Sequence, residues 1–298
     1  MSFSHDTKAE LCRLTPTNRC CAVAECYGIL LYCNTFSPAE IKITTESQKL
    51  GQLLPGLFAK AFSVAFDICA QKSSKAKKLT FTVNDAQKLN RIFDAFGYDS
   101  ATHISHHINL GVIEDDCCKQ SFIRGAFLAG GSVTDPLKSY HLELVTGHYH
   151  VGREMYSLLL EMDFQPKEVE RNGNFVTYFK QSTAIEELLT TIGAPISAMK
   201  LMSQKIEKDM RNSVNRKVNC DTANVSKTVE AAQKQIEIIQ SLSENRGLDR
   251  LPQKLRETAV LRLENPELSI AELAAACTPP VTKSCLNHRL RKLSELAE

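Results

Sequence analysis

The sequence has no apolar run of membrane-spanning length, no Cys-x-x-Cys pair and no excess of one charge, and each absence removes a class of protein. The longest apolar stretch, Ala22 to Cys33, is interrupted by Glu25 and is too short to cross a bilayer. The opening residues, Met1 to Asp6, lack the charged-then-apolar pattern of a secretory signal. Eleven cysteines in such a chain are expected to be reduced thiols used as small apolar groups, which points to the cytoplasm. The doublets Cys20-Cys21 and Cys117-Cys118 each place their two side chains in divergent directions on a helix or a strand. His106-His107 and His148-Tyr149-His150 add ligand atoms without a zinc-like spacing, so packing is favoured over a structural metal. A formal charge of +2, from 36 basic and 34 acidic residues, leaves any nucleic-acid binding to local clustering. What remains is an ordinary globular composition, with 298 residues sufficient for two domains that each have a core.

Within that frame one order of elements occurs twice. Ala9 to Cys21 and the apolar Ala22 to Tyr32 read as helices, broken at Asn34 to Pro38. Ala39 to Thr45 alternates as a strand with Ile41 and Ile43 on one face, and a helical segment runs from about Leu57 to Ala70. A basic turn, Lys72 to Lys78, leads to the strand Leu79 to Val83. Asn84 or Asp85 then caps a helix carrying Leu89, Ile92, Phe93 and Phe96, which stops at Gly97. The second pass opens on Phe122-Ile123-Arg124-Gly125-Ala126-Phe127-Leu128-Ala129-Gly130-Gly131-Ser132-Val133. Its small residues Gly125, Ala126, Ala129 and Gly130 sit at helical spacings and invite close approach by another helix.

The strand Tyr140 to Val145 and the helix Val151 to Met162 follow, then an Asn172-Gly173 hairpin turn and the strand Phe175 to Phe179. Ser182 or Thr183 is placed to cap a helix with Ile185, Leu188, Leu189 and Ile192 that stops at Gly193. Gly28 to Gly125 is a step of 97 residues and Gly97 to Gly193 one of 96, so the passes keep register. Repeats of about 9–97 and 118–194 within a domain 1–196 predict an α+β fold with pseudo-two-fold symmetry.

From Lys200 to Lys217 six basic residues stand against two acidic ones, interspersed with asparagines. In this basic linker, 197–225, phosphate contact is expected from Lys205, Lys208, Arg211, Asn212, Asn215 and Arg216, with a solvated interdomain helix as the alternative. An all-α domain, 226–298, follows. Lys227 to Ser241 carries Val229, Ala232, Ile236 and Ile239 on one face, and Pro252 opens a helix with Leu255, Ala259, Val260 and Leu263. Ser269 caps a short helix to Ala276, Cys277 to Pro280 turns the chain, and Thr282 caps a last helix. There Leu286, Leu290, Leu293 and Ala297 form one stripe, the pattern of a helix-turn-helix. Ser284, His288 and Arg291 project from the other face beside Asn287, flanked by Lys283, Arg289 and Lys292. Asparagine and arginine can pair with base edges, and lysines reach phosphates.

The duplicated helix ending in Gly-Ser-aliphatic and followed by a strand resembles the LAGLIDADG homing-endonuclease fold. With Arg211 to Arg216 and Ser284 to Leu293, nearly the whole chain is similar to the WhiA family of bacterial transcription regulators. The resemblance implies a helical seam on a pseudo-dyad, saddle-shaped sheets beneath it and a C-terminal domain like the promoter-reading region of sigma factors. It also implies genes of cell division, chromosome segregation or sporulation. In the nucleases an acidic residue before the last motif glycine holds the divalent cation; here those positions are Cys33 and Gly130, and Asp135 lies in a Thr134-Asp135-Pro136 turn.

The expectation is therefore a regulator of double-stranded DNA with no catalytic residues, cofactor or metal. It would be cytoplasmic and nucleoid-associated, not membrane-bound, with RNA polymerase or another regulator as a further partner. Two readings compete with it: a metal-dependent endonuclease using Asp135 or Glu25, and a duplicated domain that docks protein while the helix-turn-helix alone reads DNA.

Overall fold

Two largely buried helices form the centre of the first half of the chain: α2 (Arg19–Leu31) and α5 (Asp116–Gly130). Cys26, Tyr27, Ile29, Leu30 and Leu31 of α2 and Phe122, Ile123, Ala126 and Phe127 of α5 are essentially inaccessible. Their buried faces pack against each other, with glycines where the backbones meet. The computed structural model describes residues 2–69, 78–98 and 106–297. The expected basic turn Lys72 to Lys78 therefore lies outside the described residues except for Lys78. The chain divides into two compact units, Met1–Lys208 and Asp209–Glu298.

In the first unit each seam helix leads into its own sheet. After α2 come β1 (Thr35–Phe36), β2 (Ile41–Thr45), α3 (Gln48–Phe62), β3 (Leu79–Val83) and α4 (Ala86–Ala95), with strand order β1-β2-β3, all antiparallel. After α5 come β4 (Gly131–Val133), β5 (Leu142–Thr146), α6 (Tyr149–Glu161), β6 (Lys167–Arg171), β7 (Asn174–Phe179) and α7 (Ser182–Ile192), with strand order β4-β5-β7-β6. The halves correspond element for element apart from β6, whose counterpart among the described residues is the single bridge between Ile68 and Thr82. Ile41 and Ile43 are buried on one face of β2, as alternation requires. Asp85 caps α4 by accepting from the Lys88 N–H at 2.9 Å. Gly97 and Gly193 both take positive φ, +70° and +99°, beyond the ends of α4 and α7.

Several sequence boundaries are corrected. The first helix is α1 (Phe3–Leu11), capped by Ser2, and it ends well before Cys21. Pro16 and Asn18 sit in the break, where the extended Asn18 is the N-cap of α2. Helix α3 starts at Gln48 and stops at Phe62, so Val64 to Cys69 is not its continuation, and Ala70 lies outside the described residues. Ser47 caps it through the Leu50 N–H at 3.3 Å, and Ser63 ends it in the left-handed region. Gln181 precedes α7 and neither Ser182 nor Thr183 caps it, because both lie inside the first turn.

A single helix, α8 (Pro195–Arg246), covers the whole of the expected linker and the helix expected at Lys227 to Ser241; residues up to Lys208 belong to the first unit and the rest to the second. The second unit continues with α9 (Gln253–Glu264), α10 (Ile270–Ala276) and α11 (Lys283–Ala297). Ile239 and Leu242 of α8 pack with Leu255, Ala259, Leu273, Ala274, Leu286, Leu290 and Leu293 in a separate small core. Val229, assigned to the packed face from the sequence, is exposed, and burial on α8 in this unit begins at Ala232. No described helix is both long and apolar enough to cross a membrane.

Candidate nucleic-acid interface

The helix-turn-helix is built by two local caps and one turn. The Ser269 side chain accepts from the Glu272 N–H while the Glu272 carboxylate accepts from the Ser269 N–H, a reciprocal pair that fixes the start of α10. The chain returns through Cys277 to Val281, whose N–H donates to the Ala274 carbonyl at 3.0 Å. Thr282 then accepts from the Cys285 N–H at 3.2 Å and starts α11. Leu286, Leu290 and Leu293 are buried beneath α11. Leu296 continues that stripe, and Ala297, expected on it, is exposed, because the 3.6-residue period drifts off a strict four-three repeat.

Burying those leucines turns Lys283, Ser284, Asn287, His288, Arg291 and Lys292 outward, and all six are exposed. Arg291 reaches Glu295 through Nε at 3.1 Å, an exposed one-turn pair that holds the guanidinium loosely. Arg289 differs from its neighbours. It is half-buried and lines a concavity of about 520 Å³ with Lys254, Glu257, Leu261 and Pro279, so it faces back toward α9.

Arg262 is absent from the apolar set Leu255, Ala259, Val260 and Leu263 expected on α9, of which Leu255 and Ala259 are buried. Val260 is exposed, whereas Arg262 is buried, with 1% of its surface exposed. Its Nε donates to Gln235 Oε1 at 3.0 Å and its Nη1 to the Leu268 carbonyl at 2.7 Å, joining α8 to the loop before α10. The signal was present, since Arg262 is in phase with Leu255 and Ala259 at helical spacings of seven and three.

The basic residues of α8 divide by unit. In the first unit Lys205 pairs with Glu186 at 3.7 Å, and Lys208 lies 5.2 Å from the centre of the Tyr140 ring; both are half-buried. In the second unit Arg211, Asn212, Asn215 and Arg216 are all exposed. At about 100° per residue they fall within an arc of about 140° on the helix. Met210, Val214, Val218 and Val225 are exposed along the stripe that adjoins this arc.

The seam holds none of the carboxylates that a LAGLIDADG nuclease requires at its motif ends. The Cys33 Sγ donates to the Thr35 carbonyl at 3.3 Å, and burial pushes its thiol up to about 12, which keeps it protonated and a poor ligand for a hard cation. A side chain at Gly130 would stand 2.5 Å from the Val145 carbonyl oxygen and 2.7 Å from the Tyr32 ring, so a carboxylate has no room there. Glu25 is fully buried and accepts from Arg124 Nε at 3.0 Å and Nη2 at 2.8 Å. Burial raises its pKa above the carboxylate range, and Arg124 opposes that shift. Arg124 also donates to the Ile192 carbonyl at 3.2 Å, so the pair ties both seam helices to the end of α7. Asp135 accepts from the Leu137 N–H at 3.0 Å, the turn expected from Asp-Pro.

Of the remaining ligand-type residues, the His106 and His148 rings lie 4.1 Å apart edge to face, and His106 also stacks on Phe36. Burial, with His148 beside it, lowers the His106 pKa to about 4. The two cysteine doublets converge: Cys20, Cys21 and Cys118 lie within 4.8 Å of one another, as do Asp115, Cys117 and Cys118.

Two pseudo-symmetric α/β halves on a helical seam, in a chain that ends in a helix-turn-helix, define a LAGLIDADG-like protein of the two-domain type. Residues 119–211 match the family model of the WhiA LAGLIDADG-like domain, and residues 214–297 that of the WhiA C-terminal HTH domain. The chain belongs to the WhiA family. It is 36% identical over 310 residues to the "Probable cell division protein WhiA" of Alkaliphilus metalliredigens, covering 100% of this chain and 98% of the relative. It is 38% identical over 305 residues to the protein of the same name from Ruminiclostridium cellulolyticum, covering 100% and 97%. The crystal structure of full-length DUF199/WhiA from Thermatoga maritima superposes with a TM-score of 0.62 at 25% identity, over 100% of this chain and 98% of that one.

Proposed function

We propose that the protein is a DNA-binding transcription regulator, cytoplasmic and nucleoid-associated, that reads duplex DNA with α11 and performs no cleavage. The observation that carries this reading is the outer face of α11. Ser284, Asn287, His288 and Arg291 are displayed together by a doubly capped helix-turn-helix whose inner face is fully used in packing. Asparagine and arginine on a helix of this kind can each make two hydrogen bonds to a base edge in the major groove. Lys283, Lys292, Arg211, Asn212, Asn215 and Arg216 supply donors to phosphates. Arg289, turned toward α9, contributes less to base reading than its sequence position suggests.

The absence of cleavage rests on Cys33 and Gly130. One is a protonated thiol and the other leaves no volume for a carboxylate, so neither can hold the cation that activates water. The relatives' name supports a role in cell division, and genes of chromosome segregation or sporulation fit the same reading.

The test is to select bound sequences from a random duplex pool and then compare Asn287→Ala and Arg291→Ala with the parent. Each substitution should cost about 1–3 kcal/mol on the selected site and relax preference at one position. Recovery of no preferred sequence, or unchanged affinity in both variants, defeats the reading. Supercoiled DNA incubated with the protein and magnesium or manganese should stay intact; nicking that disappears in Asp135→Asn or Glu25→Gln would establish the nuclease reading.

A second role for the first unit is protein docking, with RNA polymerase or another regulator as partner. The outer row of its larger sheet supports this, because it alternates Ser132, Glu143, Tyr178 and Lys167 and is not basic. Glu143 accepts from Ser132 at 3.2 Å and lies 3.7 Å from Arg171, which leaves little net positive charge for phosphates.

A further inference from the structure

The cysteine doublets obey the symmetry of the fold. Cys20 and Cys21 lie in the first turn of α2, and Cys117 and Cys118 in the first turn of α5. Their separation, 97 residues for each pair, equals that of Gly28 and Gly125. The pseudo-dyad that joins the helices at their glycines therefore also brings four thiols together where both helices begin. Divergence within a doublet, which weighed against a metal in the sequence, holds only while each doublet is taken alone. The partner doublet, about a hundred residues away, closes the set.

The Sγ atoms of Cys20, Cys21 and Cys118 lie within 4.8 Å of one another, and Cys117 joins through Cys118 and the Asp115 carboxylate in a second overlapping group. Cys118 meets both Cys20 and Cys21 across the seam, and Cys117 reaches the set through Cys118. Cys21 and Cys118 are buried while Cys20 and Cys117 are exposed, which gives the cluster an open side. Ser121 hydrogen-bonds to Cys21 and stands as an outer partner. Arg19 and Lys119 flank the doublets in sequence and both helices direct backbone N–H groups at this end, but burial outweighs them and raises the Cys21 and Cys118 pKa, so these thiols keep their protons until a metal displaces them.

We infer that Cys20, Cys21, Cys117 and Cys118 form a binding site for one thiophilic divalent ion of the zinc class, clamping the starts of the two seam helices. Four sulfurs at about 2.3 Å from a tetrahedral zinc stand about 3.8 Å apart, which small rotations about the cysteine side chains reach from the separations here. On binding, each thiol that ligates releases its proton to solvent and forms one sulfur–metal bond. No electron is transferred. Calcium and magnesium, which need several oxygen ligands, are excluded by the same donor set.

The experiment uses the full-length chain, fully reduced and freed of metal with a chelator, titrated with cobalt(II) and then zinc(II). The expected result is one ion per chain, a thiolate-to-cobalt charge-transfer band with the ligand-field bands of a tetrahedral ion, and loss of both when zinc displaces cobalt. Cys20→Ser and Cys117→Ser, which alter exposed positions and leave the core intact, should each weaken binding by more than about 100-fold. Cys220→Ser and Cys285→Ser should leave it unchanged. A cobalt spectrum without charge transfer, or tight binding that survives both Cys20→Ser and Cys117→Ser, overturns the site. So does a chain whose doublets cross-link as disulfides in air but take up no metal when reduced.

Discussion

Gly28 and Gly125 face each other's helix in reciprocal fashion. A Cβ on Gly28 would lie 2.0 Å from the Phe122 carbonyl oxygen and 2.7 Å from the Ala126 nitrogen; one on Gly125 would lie 2.1 Å from the Glu25 carbonyl oxygen and 3.1 Å from the Ile29 nitrogen. Every partner is offset from its opposite number by 97 residues, the step between the glycines themselves. The symmetry of the fold is thus carried by backbone atoms at its tightest point.

The first prediction concerns this contact. Gly28→Ala and Gly125→Ala should each destabilise the first unit by about 2–3 kcal/mol or more, because the obstacle is backbone that cannot yield. Gly56→Ala, in α3 with open space around it, should be neutral or stabilise by about 0.5–1 kcal/mol. Denaturant unfolding of the three variants checks the contrast, and equal midpoints would contradict the seam geometry.

A second prediction concerns the Glu25–Arg124 pair. Removing the guanidinium in Arg124→Ala leaves a carboxylate in the core, a loss of about 3–5 kcal/mol at neutral pH. The sign of the pH dependence follows from the raised folded-state pKa of Glu25. Between the unfolded value and that raised value the folded chain binds more protons, so its stability falls as pH rises through this interval. Arg124 lowers the folded value, so Arg124→Ala should widen the interval and make stability fall more steeply above about pH 4.5. Unfolding free energies measured from pH 4 to pH 8 would show parallel curves if the pair were not coupled.

Arg262 supplies the third. Arg262→Ala should cost the second unit about 2–4 kcal/mol, since it empties a buried position and strips partners from Gln235 and the Leu268 carbonyl. Arg262→Lys should recover little, because one ammonium cannot reach acceptors that two different guanidinium nitrogens satisfy. The second-unit transition in calorimetry is the readout, and full rescue by lysine would show that charge alone matters.

The fourth separates the basic residues of α8. Neutralising Arg211 and Arg216 together should weaken all duplexes alike and reduce the slope of log affinity against log salt by about 2. Lys205→Ala and Lys208→Ala should change it less, since Glu186 and the Tyr140 ring already engage those ammonium groups. A larger effect from the lysines would reverse this order.

The repeated architecture was legible because glycines, caps and apolar periods are local signals that a second copy confirms. Gly28 and Gly125 kept register, and Asp85, Ser269 and Thr282 cap the helices they were expected to cap. What was not legible depends on partners distant in sequence. Nothing local says that Glu25 meets Arg124, that Lys205 is spent on Glu186, or that Arg262 belongs in a core. The early end of α3 at Phe62 escaped because Val64 and Phe66 are as apolar as a helix face, yet they pack after a left-handed turn at Ser63. On α11, Ser284, Asn287, His288 and Arg291 are exposed as the leucine stripe predicts, whereas the direction of Arg289 depends on the concavity beside α9.

The reciprocal glycine contact also determines how the two halves can be misassembled. Sliding one seam helix along the other by a turn would carry both glycines off their carbonyls at once and bring larger side chains onto backbone oxygen in two places. The seam therefore behaves as a latch with two teeth that engage together or not at all. A chain carrying two such similar halves has few compact alternatives in which they dock out of step.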